Sequence, residues 1–234
     1  MFANAIRSNI HPATWAVFAV KPTPQGHSYL HRGTAFAVDT AGHLLTCWHV
    51  TYEDPDCKVE CGAFAVAQPE VGLATYPATL ISKDRDRDIA LLQIDGNPKT
   101  RPAMLSGAPV PFGTSCCAFG HPLSVVDPNT GGVRIFTRAA AGIVSMPYGS
   151  PRFSGTRPIE LYELDFFTHG GSSGGPVFLQ NADVFAFVSG SLMVDGAGGV
   201  KTRSNLSVAV SIHEAIQFLD ALNIKLQVRR GTRR

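Results

Sequence analysis

The sequence predicts an all-β protein made of two packed β-barrels and one C-terminal helix. About a dozen short runs of β-forming residues, separated by Pro and Gly, follow one another along the 234-residue chain. A loop-like stretch from Asp95 to Gly113 contains four prolines and divides these runs into two groups. Helical spacing of apolar residues begins only after Ser211. Many short strands in two groups are typical of paired β-barrels.

The first group of runs predicts an N-terminal barrel over residues 1–100. Pro22 to Gly26 (PTPQG) predicts a loop after the first strand, because proline and glycine interrupt regular structure. Asp39 to Gly42 (DTAG) predicts a hairpin turn. The predicted strands of this barrel are Trp15 to Val20, Gly33 to Val38, His43 to Thr46, Val59 to Val66, Tyr76 to Lys83 and Ile89 to Ile94.

The second group predicts a linker at 101–113, a C-terminal barrel at 114–211, and a helix with a basic tail at 212–234. Ser211 is expected to cap the helix, and Glu214, three residues later, fits a capping box. The predicted strands are Ser115 to Phe119, Val133 to Ser145, Glu160 to Phe166, Pro176 to Leu179, Val184 to Ser191 and Asn205 to Val210.

Composition excludes several classes of protein. With 44% hydrophobic and 16% charged residues the chain is globular, and a formal net charge of +2 is too small to predict a nucleic-acid partner. No apolar run approaches the roughly 18 residues that a membrane span needs. Arg7, His11 and Pro12 interrupt what would have to be the apolar part of a signal peptide, so a cytoplasmic protein, or a piece of a longer one, is expected.

The five cysteines do not form the pattern of a disulfide framework. Their number is odd, which agrees with a reducing compartment. Cys57 and Cys61, with Cys116 and Cys117, could bind zinc if the fold gathered them, but no accompanying His/Cys spacing supports this. We therefore expect neither a metal nor another cofactor.

The segment Gly170 to Pro176 (GGSSGGP) has the composition of an acyl-transfer site. Glycines on both sides of the serine pair let the backbone aim its N–H groups at one point beside a hydroxyl group. Taken alone, such a segment is more often a flexible Gly/Ser loop. The rest of the chain decides between these interpretations.

A base and a carboxylate precede this segment in the chain. His49 follows a predicted strand, where a histidine alone is more often structural than catalytic. Asp88 lies at the start of the apolar strand from Ile89 to Ile94, so its buried charge needs a hydrogen-bonding partner. The order His49, Asp88, Ser173 supplies a base, an orienting carboxylate and a nucleophile.

The sequence around these three residues resembles the trypsin/chymotrypsin-like serine proteases. The matching motifs are Thr46-x-x-His49, Asp88-Ile89-Ala90-Leu91-Leu92 and Gly171-x-Ser173-Gly174-Gly175-Pro176. Over roughly residues 14 to 223 the closer likeness is to the bacterial HtrA-type (Deg-like) branch. Its motifs here are Gly33-Thr34-Ala35-Phe36, Phe119-Gly120-His121-Pro122, Gly142-Ile143-Val144-Ser145 and Val208-Ala209-Val210.

This resemblance implies a chymotrypsin-like fold of two six-stranded antiparallel barrels and a serine endopeptidase acting on polypeptides. It assigns the oxyanion hole to the N–H groups of Gly171 and Ser173, and it implies that the peptide before Gly171 can flip to a latent state. Ser172 stands where chymotrypsin-like zymogens have an aspartate, so activation by N-terminal cleavage is not expected. No PDZ domain is expected after Leu222, and an activating partner or flanking domain is an open alternative.

The nucleophile and the specificity residues follow from positions within these motifs. Gly-Gly-Pro directly after the nucleophile selects Ser173 and not Ser172. Six positions earlier, where trypsin-like enzymes carry an aspartate that binds Arg or Lys, the chain has Phe167. By the same resemblance, the pocket for the residue before the scissile bond (P1) is expected to be apolar and to accept small or medium side chains. The expected substrate-binding residues are Phe167, Thr168, Val188, Ser189, Gly190 and Ser191, the last four on a strand that pairs with substrate backbone.

The sequence is also compatible with two other functions. Gly171-x-Ser173-x-Gly175 also fits the nucleophile elbow of α/β-hydrolases, but Pro176 follows at once and too few residues remain for that fold. A protease fold that serves as a latent or catalytically silent binding module is the stronger alternative. A module released from catalysis has no physical need for all three groups, which favours the enzyme.

Overall fold

The computed structural model confirms the predicted all-β architecture. It describes residues 1–24, 26–54, 56–69, 75–96, 99–127, 132–150, 157–195 and 201–229. In these segments twelve strands form two closed six-stranded antiparallel barrels, and two short strands form a separate ladder. Within these residues no helix is long and apolar enough to cross a membrane. Residues 230–234 of the basic tail lie outside the described residues.

The first barrel closes in the order β1-β2-β3-β6-β5-β4. The predicted loop at Pro22 to Gly26 is wrong, since β1 and β2 pair out to Thr23 and Gly26. Beyond Ala19, β1 no longer pairs with β4. The backbone N–H that Pro22 lacks is therefore not needed for a hydrogen bond to β4. The strands are β1 (Thr14–Thr23), β2 (Gly26–Ala37), β3 (His43–Thr46), β4 (Phe64–Ala67), β5 (Tyr76–Asp84) and β6 (Ile89–Ile94).

The start of β4 differs from the prediction because a carboxylate holds the preceding segment in a turn. Asp54 accepts hydrogen bonds from the N–H groups of Lys58 and Val59, at 3.0 and 2.7 Å. Val59 therefore does not begin the strand. By contrast, the predicted turn at Asp39 to Gly42 is confirmed, and the Asp39 carboxylate accepts from the N–H groups of Ala41 and His43.

The second barrel closes in the order β10-β11-β14-β13-β12-β7. The predicted strand from Val133 to Ser145 is two strands, and the first of them pairs with β8 outside the barrel. The strands of the second half are β7 (Ser115–Gly120), β8 (Val125–Val126), β9 (Val133–Arg134), β10 (Arg138–Ser150), β11 (Ile159–Leu164), β12 (Pro176–Phe178), β13 (Val184–Asp195) and β14 (Lys201–Ser211).

Helical segments lie at both ends of the described chain. The N-terminal one, which the sequence did not predict, consists of α1 (Ala3–Ala5), a π-helical turn (Ile6–Ile10) and α2 (His11–Ala13). The predicted C-terminal helix is α3 (Ile212–Ala221), and the Ser211 side chain accepts from the His213 N–H as expected. Glu214 does not complete a capping box: its carboxylate accepts from Arg87, Arg157 and the Glu160 N–H.

One cluster of buried apolar side chains runs through both barrels. It includes Phe36 and Leu91 from the first barrel and Phe178 and Phe187 from the second, all fully buried. Burying each large apolar side chain stabilises the folded state by roughly 1.5 to 3 kcal/mol. The barrels are therefore packed against each other, and residues from each reach the junction between them.

Candidate active site

His49 lies on a 3₁₀ turn, Trp48–Thr51, that follows β3 directly. The turn sets the imidazole against Asp88, whose Oδ1 and Oδ2 lie 2.9 and 3.1 Å from Nδ1. The backbone N–H of His49 also donates to Asp88 Oδ1, at 3.2 Å. When Nδ1 donates to the carboxylate, Nε2 of the neutral ring is the acceptor nitrogen.

Asp88 is held in a special backbone conformation at the start of β6. Its φ of +55° lies in the left-handed region, which aspartate tolerates better than most residues. The side chain is fully buried, and Ser189 Oγ from the second barrel donates to Oδ2 at 2.5 Å. The pairing of β13 with β14 shifts register at Ser189, a bulge that redirects a side chain. Hydrogen-bond donors from both barrels thus pair with the carboxylate that was predicted to be buried.

The loop that carries Ser173 docks on β2 of the first barrel. The Thr34 N–H donates to the Ser173 carbonyl, and Thr34 Oγ1 donates to the Gly171 carbonyl, both at 2.8 Å. A Cβ on Gly33 would lie 2.9 Å from the Ser173 carbonyl oxygen and 2.7 Å from Cγ2 of Val50. The Ser173 backbone is thereby brought beside the residue that follows His49.

The backbone of this loop alternates between bonded and unbonded N–H groups. Ser172 N–H donates to the His169 carbonyl at 3.0 Å, and Gly174 N–H donates to the Val188 carbonyl at 2.7 Å. Within the described residues, the N–H groups of Gly171 and Ser173 donate to no acceptor. Gly171 has φ +90°, the value that the third residue of a type II turn requires. Two donors two residues apart are therefore available to a ligand.

For the peptidase activity proposed below, Gly171→Ala is expected to lower kcat by about 10² to 10³-fold, because it disturbs one of these two donors. The added Cβ would lie 2.5 Å from Cε1 of His31 at a φ that side chains rarely adopt. Gly170→Ala is the matched control, since a Cβ there meets nothing within 4 Å. Steady-state kinetics on both variants test this, and equal activities would show that the turn at Gly171 is not needed.

The residues predicted to bind substrate lie in different surroundings. Phe167 and Thr168 line a pocket of about 260 Å³, together with Ser172. Val188 is buried in the core of the second barrel, and the Ser189 hydroxyl bonds to Asp88. Gly190 and Ser191 follow the bulge on β13, and the buried Ser191 Oγ has no hydrogen-bond partner among the described residues.

A family model described as the trypsin-like peptidase domain matches residues 33–186, more than half of the chain. The chain belongs to the trypsin-like peptidase domain family. The match spans the segments of His49, Asp88 and Ser173. Membership agrees with the two antiparallel barrels described above.

Curated relatives support the HtrA-type resemblance within this family. The chain is 26% identical over 191 residues to the mitochondrial serine protease HTRA2 of Drosophila virilis, covering 80% of this chain and 39% of the relative. It is 26% identical over 202 residues to the chloroplastic Protease Do-like 1 of Arabidopsis thaliana, covering 77% of this chain and 40% of the relative. The chain thus spans two fifths of the length of these relatives.

Solved structures share the fold. The HtrA-type protease AlgW with a decapeptide gives a TM-score of 0.72 at 21% identity, over 95% of this chain and 67% of that one. The active form of the Rv3671c protease from M. tuberculosis gives 0.69 at 18% identity, over 97% of this chain and 88% of that one.

One group of side chains at this trypsin-like site could hold a metal ion. Ligand atoms of Cys47, His49 and Asp88 lie within 4.8 Å of one another, a donor set that suits Zn²⁺. The two buried members already make hydrogen bonds, since Cys47 Sγ donates to the Val188 carbonyl and Asp88 accepts from His49 and Ser189. This group contains none of the four cysteines named above for zinc. Burial raises the pKa of Cys116 and Cys117 to about 12, which disfavours the thiolate that binds metals.

Two histidines lie behind the Ser173 loop, His31 partly buried and His121 fully buried. The His31 ring contacts the Gly171 backbone, and its Nε2 is buried without a hydrogen-bond partner within the described residues. His121 is fully buried, and its backbone N–H donates to Thr34 Oγ1 at 3.0 Å. Desolvation lowers the pKa of each histidine from 6.5 to about 4. Both imidazoles are therefore neutral at pH 7.

Because the pKa of each of these two histidines is lowered, we expect the free energy of unfolding to fall in acid. The unfolded chain protonates them below about pH 6.5 and the folded chain only near pH 4, so stability falls as pH drops through that interval. Each contributes about 3 kcal/mol of this loss. Urea unfolding at pH 7 and 4.5 measures it. His31→Gln is expected to reduce the difference, whereas the exposed His27→Gln is not; equal differences in both would contradict the assignment.

Several residues of the site have roles that local sequence does not predict. Thr34 lies in the Gly33-Thr34-Ala35-Phe36 motif, but its two hydrogen bonds to the Ser173 loop depend on contact between the barrels. Ser189 was expected at the substrate, and the structure shows it at Asp88. A hydroxyl residue at a strand position that is otherwise apolar (VFAFVS) was the one available signal for the second case.

Proposed function

We propose that the chain is a serine endopeptidase in which His49, Asp88 and Ser173 form the catalytic triad. The observation that carries the proposal is the hydrogen-bonded pair of His49 and Asp88 at the junction where the Ser173 loop docks. A nucleophile, a base and an orienting carboxylate from distant parts of the chain then share one site. The two unbonded N–H groups of Gly171 and Ser173 beside it support the assignment of an oxyanion hole.

In this proposal His49 moves the protons, Ser173 forms the covalent bond, and the cycle restores both groups. His49 Nε2 takes the proton of Ser173 Oγ as the oxygen attacks the peptide carbonyl, and the resulting imidazolium is stabilised by Asp88. The N–H groups of Gly171 and Ser173 stabilise the oxyanion of the tetrahedral intermediate. His49 then gives the proton to the leaving amine, and an acyl-enzyme remains on Ser173. Water, deprotonated by His49, hydrolyses the ester and restores the hydroxyl group.

The proposed substrate is a polypeptide bound as an added strand. From Gly190 onward β13 pairs with β14 alone among the described strands, which leaves its other edge for a substrate. The solved AlgW structure contains a decapeptide, which supports a peptide substrate by similarity. Phe167 and Thr168 are proposed to favour small or medium apolar P1 side chains, and no aspartate is present there to select Arg or Lys.

We further propose that the protein is located in a reducing, cytoplasmic compartment. Five free cysteines, four of them buried, agree with this location. We also propose that the chain divides into its two halves near residues 101–113. We propose in addition that a flanking domain or an activating partner acts with this chain, since the matched relatives are much longer than it.

The second candidate is a latent or silent binding module, and a fluorophosphonate probe separates it from the enzyme. The probe reacts only with a serine that a base activates. Wild type and Ser172→Ala are expected to be labelled, and Ser173→Ala is not. Casein cleavage measured in parallel should follow the same order. No labelling of wild type under any condition would favour the binding module, and labelling lost in Ser172→Ala alone would assign the other serine.

A further inference from the structure

Thr34 lies on β2 and connects the two barrels at the Ser173 loop. It is fully buried, and each of its polar groups makes a hydrogen bond. The backbone N–H donates to the Ser173 carbonyl at 2.8 Å, and the backbone carbonyl accepts from Thr46 Oγ1 at 2.7 Å. The hydroxyl group bonds to the backbones of Gly171 and His121, both from the second half of the chain. The fold therefore fixes the position of this hydroxyl group.

The hydrogen bonds of the Thr34 hydroxyl group have only one possible direction. The backbone N–H of His121 lies 3.0 Å from Oγ1 and can only donate, so the oxygen accepts there. The single hydroxyl hydrogen is then donated to the Gly171 carbonyl, which lies 2.8 Å away and can only accept. The branched Cβ of threonine also restricts the side-chain rotation that would break this arrangement.

The peptide groups that follow Gly171 and Ser173 are each fixed at both ends. A peptide group is planar, so bonds to its carbonyl and to its N–H together set its orientation. The carbonyl of the group after Gly171 accepts from Thr34 Oγ1, and its N–H donates to the His169 carbonyl. The carbonyl of the group after Ser173 accepts from the Thr34 N–H, and its N–H donates to the Val188 carbonyl. Thr34 thus supplies one of the two bonds in each case.

We propose that Thr34 is a positioning residue for the oxyanion hole, acting through its hydroxyl group on Gly171. Glycine has no Cβ to restrict its φ and ψ, so its N–H can take many directions unless the neighbouring peptide group is held. The bond from Thr34 Oγ1 holds that group and so directs the Gly171 N–H. Thr34 itself contributes no donor to the oxyanion. This role rests on the function proposed above.

Thr34→Val tests the role, because it removes the hydroxyl group and keeps the shape of the side chain. We expect kcat for peptide cleavage to fall by about 10- to 100-fold, less than the full loss of one oxyanion donor would cause, at an unchanged KM. Thr34→Ser retains the hydroxyl group and should keep the wild-type kcat. An unchanged kcat in Thr34→Val overturns the proposal.

Thr100→Val is the matched control. The buried Thr100 hydroxyl group also accepts from a backbone N–H, that of Gly42, and donates to a backbone carbonyl, that of Asp39. These bonds lie at the turn between β2 and β3, away from the Ser173 loop. Thr100→Val should keep the wild-type kcat, and an equal loss of kcat in both valine variants contradicts a specific role for Thr34.

Thr34→Cys keeps the test decisive if Thr34→Val does not fold. Cysteine and serine differ here in one atom, and a thiol is a weaker donor than a hydroxyl group. We therefore expect kcat to be about tenfold lower in Thr34→Cys than in Thr34→Ser. Equal kcat in these two variants overturns the proposal.

Inhibitor binding separates this role from a purely structural one. Ser173 Oγ adds to the carbonyl carbon of the peptide aldehyde acetyl-Ala-Ala-valinal, its proton passes to His49, and the aldehyde oxygen becomes an oxyanion. The alcohol acetyl-Ala-Ala-valinol binds without forming that bond. Thr34→Val should weaken inhibition by the aldehyde by about tenfold and leave that by the alcohol unchanged. Equal weakening of both contradicts the role.

Fluorophosphonate labelling distinguishes failure of this inference from failure of the proposed function. Thr34→Val should be labelled more slowly than wild type. Labelling of both proteins at the same rate refutes the positioning role alone. No labelling of wild type under any condition refutes the proposed function, and the positioning role with it.

Discussion

His49→Ala is expected to lower kcat/KM for a peptide substrate by about 10⁶-fold. In the proposed mechanism the imidazole accepts the Ser173 proton during attack and returns it to the leaving amine, so its loss removes both transfers. The Asp88 carboxylate cannot replace it, because its oxygens already accept from the His49 N–H and Ser189 Oγ. Residual turnover would then come from substrate binding and the oxyanion donors alone.

The same variant should remain folded. The His49 side chain is 25% exposed, and its loss should change the free energy of unfolding by no more than about 2 kcal/mol. Urea unfolding and peptide cleavage measured on one preparation separate the two effects. His43→Ala is the control, since that histidine lies in the same barrel and pairs with Asp39, away from this site. A fully active His49→Ala would disprove the assigned base.

Asp88→Asn is expected to lower kcat by about 10⁴-fold while preserving the shape of the site. The carboxylate has only acceptor oxygens, and it accepts from His49 Nδ1, the backbone N–H of His49 and Ser189 Oγ. An amide retains one oxygen and presents N–H donors in place of the other. If the amide donates to Nδ1, the neutral ring carries its proton on Nε2 and cannot take one from Ser173.

Asp86→Asn is the matched control for this effect, because Asp86 lies in the same turn and is exposed. It should retain wild-type kcat. Raising the pH should not restore Asp88→Asn if the tautomer is the cause, whereas a purely electrostatic loss would depend on ionic strength. A drop of less than tenfold in Asp88→Asn would show that His49 is oriented by other contacts.

Local patterns were sufficient to predict much of this molecule. Apolar runs and turn residues predicted two barrels and α3, and β3 and β6 begin and end where expected. The position of Asp88 before an apolar strand predicted a buried carboxylate that needs a partner, and the structure shows His49 in that place. Both inferences depend on residues near one another in the chain.

Contacts between distant segments were not predictable in the same way. Ser189 reaches Asp88 across 101 positions in sequence, and it does so through a bulge that no local pattern indicates. Glu214 has the spacing of a capping box, but a tertiary contact with Arg87 gives its carboxylate a different use. The N-terminal helical turns follow packing against the barrels, since Phe2 contacts the Phe178 ring. Propensity alone carries no information about such packing.

A crystal structure of the protein inhibited by a fluorophosphonate would test the central claim most directly. We predict phosphorus bonded to Ser173 Oγ, with a phosphoryl oxygen about 3 Å from the N–H groups of both Gly171 and Ser173. His49 Nε2 should lie within hydrogen-bonding reach of the adduct, with Nδ1 still bound to Asp88. An adduct on Ser172, or a phosphoryl oxygen directed away from those two N–H groups, would contradict the proposed site.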